Sequence, residues 1–170
     1  RLLPRAGPLY SGPPSDHFDG RRFFNPGGQA PSGFRDLLRW QMGGGRARWP
    51  RRVNSPHAPA RPPERAADLR VTMVGHATLL IQVAGCNILT DPHWSDRASP
   101  VQFAGPRRVV APGIAFDDLP PIDLVLVSHN HYDHLDLITL RRLHAAHAPR
   151  ILTPLGNDTL ISRAIPDARI

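Results

Sequence analysis

Apolar positions in the second half of the chain follow two different periods. Val71–Val74, Thr78–Val83 and Asn87–Thr90 are short aliphatic runs broken near Gly75–His76 and Ala84–Gly85. They predict three strands joined by tight turns. Ile122 to Val127 reads IDLVLV after Pro120–Pro121 and predicts a strand buried on both faces. Asp136 to Ala146 carries Leu137, Leu140, Leu143 and His144 at helical spacing, with Asp136 placed to cap the helix. A strand at Ile151–Thr153, a helix over Gly156–Ala164 and a strand starting at Ala168–Ile170 follow. Strand, helix, strand, helix, strand is the order of an α/β domain. Asp91 to Pro121 is a long Pro-rich loop, and loops of that length in compact domains are often functional.

The first part of the chain lacks this rhythm. Residues 1–65 hold 11 of the 20 prolines and 9 of the 14 glycines. Phe34 to Met42 (FRDLLRWQM) predicts a short helix stopped by Gly43–Gly45. The expected division is a leader over 1–68, wrapping the core or partly disordered, and a domain over 69–170. There is no internal repeat. The start at Arg1 rather than Met and the stop in ARI predict a piece of a longer protein.

The net charge of +7 is unevenly placed. Residues 1–70 hold 13 Arg and 5 acids, +8; residues 71–170 hold 8 Arg and 9 acids, −1. A basic leader suits an anionic lipid surface, or is simply solvated. No nucleic-acid-binding motif is present, so no nucleic-acid partner is expected. The single cysteine, Cys86, excludes an internal disulfide and reads as a small filler. No apolar run reaches the length of a membrane span. Compartment is left open between cytoplasmic and membrane-associated, with a preceding signal or anchor compatible. The sequence does not indicate an oligomeric state.

The chemistry concentrates in VLVSHNHYDHLD. His129, His131, Asp133 and His134 lie within six residues, directly after a predicted strand. Alternate residues of an extended segment point the same way, so His129 and His131 can grip one ion. Asp133 and His134 fall where the chain turns toward the helix and can face a second ion. Zinc takes imidazole nitrogen and carboxylate oxygen, and catalytic sites keep a position for water. Magnesium and calcium prefer all-oxygen shells, whereas iron and manganese are compatible with these donors. The bland alternative is a solvated His-rich turn.

This cluster resembles the signature of the metallo-β-lactamase superfamily. VGHATLLIQ, ILTDPHWSDRASPVQFAGPRR and LPPIDLVLVSHNHYDHLD are similar to the N-acyl-phosphatidylethanolamine-hydrolysing phospholipase D branch, and SDHFDGRRFFNP to the leader of its bacterial members. The resemblance implies a four-layer αβ/βα sandwich of which the N-terminal half is present. It implies two zinc ions, the first held by His129 and His131, the second by Asp133 and His134. It implies a role for Asp91 in propping the metal loop, and further ligands downstream with no counterpart before Ile170. His144 and His147 lie too near, on the predicted helix, to serve. The implied reaction is attack on phosphorus by a hydroxide bridging the ions, with Asp133 orienting it and shuttling its proton.

Other residues are weighed beside these. His76, in GHAT, and Asp136 are expected near the ligands as supporting groups, with a plain turn or cap role as the alternative. Arg97, Arg107 and Arg108 border the long loop and could fork onto a substrate phosphate; solvated surface is the alternative. His93 reads as packing or surface, His17 as structural, and Trp94 and Phe103 as pinning the loop rather than lining an acyl groove. The leading expectation is a phospholipase D-type phosphodiesterase acting on a phospholipid, with peripheral membrane contact. A lactonase or other ester hydrolase of the same superfamily is the second. A truncated, non-catalytic chain that binds metal weakly is the third.

Overall fold

The computed structural model describes residues 9–28, 33–44, 50–59 and 61–170. Residues 1–8, 29–32, 45–49 and 60 lie outside the described residues, and so does that part of the expectation about the leader. The chain divides into two compact units, Arg1–Pro50 and Arg51–Ile170.

The first unit holds helix α1 (Phe34–Met42) and a small aromatic cluster. Phe18 is buried and its ring packs against Tyr10 and Phe23 at centroid distances of 5.0 and 4.7 Å. Asp19 closes the turn between them by accepting the Arg21 and Arg22 amides. His17 faces Asp16 at 3.0 Å on the surface. At α1, Asp36 accepts the Gly33 amide at 3.0 Å, which satisfies one of the free donors of the helix start.

The second unit is a five-stranded sheet in the order β1-β2-β3-β4-β5, with β1 Arg70–Gly75, β2 Thr78–Val83, β3 Cys86–Thr90, β4 Leu124–Leu126 and β5 Arg150–Leu152. The first three strands are antiparallel; β3, β4 and β5 run parallel. Helices α2 (Leu137–His147) and α3 (Asn157–Ala164) complete the α/β layer. The β2–β3 hairpin turns on Ala84 at φ 50° and Gly85 at φ 73°, the paired left-handed geometry that matches strand twist.

Alternation decides the core. Leu80, Leu89, Val125 and Ile151 point to one face and are fully buried there with Leu140 and Leu143 of α2 and Ile161 of α3. The opposite face carries Val71, Met73, Ile81, Ile88, Leu124, Leu126 and Leu152 and is only partly covered. The expectation that IDLVLV is buried on both faces is therefore corrected: Leu124 and Leu126 stay half-buried around a buried Val125. The predicted strand at Ala168–Ile170 is reduced to a parallel bridge, Arg150 to Arg169. A one-turn 3-10 helix at Phe116–Asp118, with no apolar period to signal it, breaks the long loop.

That loop is tied down at several points. Trp94 donates from its indole to the Ile114 carbonyl at 3.1 Å and packs edge-on against Phe116. The Gly113 amide donates to Val74 of β1 at 2.6 Å. Residues 61–67 lie on the far end of the sheet, where Gln82 and Asn87 donate to the carbonyls of Pro63 and Glu64.

Candidate metal centre

The C-terminal ends of β3 and β4 meet at one edge of the sheet, where ligand sites of α/β sheets form. Asp91 ends β3 in a left-handed conformation, φ 38°, with its amide bonded to the Leu126 carbonyl at 2.8 Å. This fixes its carboxylate under the start of the His loop. Oδ1 accepts the Ser128 amide at 2.7 Å; Oδ2 accepts the Ser128 hydroxyl at 2.7 Å and His134 Nδ1 at 2.8 Å. Burial pushes the Asp91 carboxyl up, but the bonds from His134 and Ser128 outweigh it and hold the group below its usual range.

The relay sets the tautomers. A carboxylate accepts only, so His134 carries its proton on Nδ1 and presents an Nε2 lone pair. The Ser128 proton is committed to Asp91, so the 2.9 Å contact from Ser128 Oγ to His129 Nδ1 requires the imidazole to donate. His129 is thereby also left with a free Nε2. Burial first, then the neighbouring His134 and His131, push the His129 pKa down and favour its neutral form. The amides of His134 and Leu135 both bond back to the His131 carbonyl, and this turn folds the motif onto itself. The His129 ring lies 4.0 Å from that of His134 and 4.6 Å from that of His131.

Asp133 joins the group from the side. Its Oδ2 lies 3.4 Å from His134 Nε2 and 2.8 Å from Nε2 of His76, which stands on the β1–β2 turn. The donor atoms of His76, Asp133 and His134 all lie within 4.8 Å of one another. Burial works to raise the Asp133 carboxyl, but its own backbone amide, His76 and His134 hold it lowered. Two atoms each bound to one tetrahedral zinc stand about 3.3 Å apart. The Asp133–His134 separation fits that value; the His76–Asp133 distance is that of a hydrogen bond. Imidazoles oriented through Nδ1, with Nε2 turned toward an ionised carboxylate, are a donor set that fits a zinc-like cation.

The other candidate residues fall elsewhere. Asp136 is a helix cap: it accepts from the Ile138 and Thr139 amides and from both the amide and hydroxyl of Ser95. Its carboxylate ties α2 to the long loop. Arg108 is turned inward onto His93, with its Nη2 2.6 Å from His93 Nδ1. Arg97 donates to the Gly105 carbonyl and Arg107 faces Asp96 at 3.6 Å, so both brace the loop. Phe103 is exposed. His144 bonds Asp167 at 3.0 Å, on the α2 flank. Sequence reasoning missed Ser128, whose one signal was its place between strand and first histidine, and the pairing of buried His93 with half-buried Arg108, which had none.

Comparison with known proteins agrees with this arrangement. The model of the beta-lactamase superfamily domain matches residues 86–169. An uncharacterised protein of Mycobacterium tuberculosis is 42% identical over 106 residues, 62% of this chain and 28% of that protein. The N-acyl-phosphatidylethanolamine-hydrolyzing phospholipase D 1 of Caenorhabditis elegans is 48% identical over 75 residues, 44% of this chain and 21% of the other. A UPF0173 metal-dependent hydrolase of Methanopyrus kandleri is 37% identical over 67 residues, 39% of this chain and 24% of the other. The chain thus spans between a fifth and a third of these relatives. With the His and Asp motif at the strand ends, and the superfamily model covering that motif together with β3, β4 and β5, residues 86–169 are identified as a domain of the metallo-β-lactamase superfamily.

Proposed function

We propose that this chain carries half of the metal centre of a zinc-dependent phosphodiesterase acting on N-acylated phosphatidylethanolamine or a closely related phospholipid. The observation that carries the reading is the Asp91–Ser128 relay, which leaves His129 and His134 with free Nε2 atoms beside an ionised Asp133. His129 and His131 would hold one ion, and Asp133 and His134 a second. Bound there, zinc supplies a Lewis acid and lowers the pKa of water. Asp91 and Ser128 hold the imidazole tautomers. Asp133 orients the attacking water and takes its proton. His76 keeps the Asp133 carboxylate turned toward His134 by donating to Oδ2. The phospholipid substrate is supported by the likeness to the nematode phospholipase D over 44% of this chain.

The test is metal analysis followed by assay of the zinc-loaded protein on N-acyl-phosphatidylethanolamine and on a lactone. Zinc in molar proportion to protein and release of phosphatidic acid are expected. His131→Ala should lower that rate by about 100-fold. Turnover that survives chelation, or opening of the lactone alone, would sink the reading.

A further inference from the structure

No residue of helix α1 is among the candidate metal ligands, yet its surface is unusual. Phe34, Leu38 and Met42 recur every four residues and so form one row along it. They are 73%, 38% and 78% exposed. Trp40 is 65% exposed but, at 100° per residue, falls on the opposite side of the helix from this row. Arg35 and Arg39 form a second row beside it, also exposed. An apolar row flanked by arginine is the pattern of a helix that lies in the plane of a membrane surface. At nine residues it is about 14 Å long, far short of a span. Among the described residues, no helix is long and apolar enough to cross a membrane.

Charge selects the kind of surface. Residues 1–50 contain 8 Arg and 3 Asp, a net +5. An anionic bilayer attracts each such cation near its surface, whereas a neutral one does not. A second copy of the chain would bring +5 against +5, which disfavours it as the occupant.

We propose that α1 docks the protein on anionic phospholipid, inserting Phe34, Leu38 and Met42 between headgroups while Arg35 and Arg39 contact lipid phosphates. This extends the lipid reading above but stands on the helix alone, so His131→Ala, which removes a proposed metal ligand, leaves docking intact. The two readings therefore fail separately.

The test is flotation of the purified 170-residue chain with vesicles of phosphatidylglycerol or of phosphatidylcholine. Binding to phosphatidylglycerol that weakens with salt, and little to phosphatidylcholine, is expected. Phe34→Ala with Met42→Ala keeps helix propensity and should weaken vesicle binding roughly tenfold. Unchanged binding by the Phe34/Met42 variant would overturn the proposal. So would a dimer in solution that this variant dissolves without affecting vesicles, since the face would then belong to a second copy.

Discussion

His76 shows what a single residue can contribute to such a centre. It holds a left-handed backbone at φ 55°, which costs an L-residue about 1 kcal/mol. In return, a turn 57 residues away in sequence brings its Nε2 onto Asp133. His76→Ala should weaken cation affinity by about 10-fold or more. His76→Gln places an amide donor near the same point and should recover most of the loss. Titration against a chromophoric chelator checks both; a glutamine variant as weak as alanine would mean that His76 binds the cation directly. The spacing of His129, His131, Asp133 and His134 was legible because strand alternation and turn position follow from local sequence. The partners of Ser128 and His76 were not, because they join separate elements whose meeting depends on sheet register.

At the scale of elements, periodicity carried the prediction far. β2 and α1 match the expected bounds, the other helices and strands shift by one or two residues at an end, and the strand expected at Ala168–Ile170 is reduced to a bridge. β4 is shorter than its apolar run because its ladder is set by β3 and β5, not by composition. Asp123, just before β4, accepts the Asn87 amide and is paired with the Arg65 guanidinium. Burial alone would raise its pKa, but Arg65 and the Asn87 amide bring it below the ordinary 3.8. A carboxyl depressed on folding stabilises fully above its unfolded pKa and loses that contribution as pH falls through the folded one. Stability should therefore drop below about 3.8, and Asp123→Asn should flatten this part of the profile. Urea midpoints measured at a series of acidic pH values test it; an identical slope in both proteins would remove Asp123 from the account.

The sheet of the second unit has an unequal pair of faces. One packs on α2 and α3; the other presents Val71 and Met73 at 54% and 55% exposure beside a row of half-covered aliphatic side chains. Contiguous apolar surface of this kind drives association. The isolated chain should form larger species as its concentration rises, and Val71→Lys with Met73→Lys should return it toward monomer. Sedimentation velocity decides, and a wild-type chain that stays monomeric throughout would refute the expectation. The periodicity could not foretell this asymmetry, since IDLVLV reads the same whether its second face is packed or open.

Gly113 gives the sheet a direction. Its amide sits on Val74, and a Cβ there would come within 2.5 Å of the Met73 carbonyl, so only glycine lets the returning loop press flat on β1. That margin is blunted against recruiting a stray strand. The opposite margin behaves otherwise: Ile151 already donates to Arg169, whose backbone runs alongside β5 in the same sense. Further strands can join past β5 more readily than at the Gly113 end of β1, so growth of the ladder is favoured on the side away from His76.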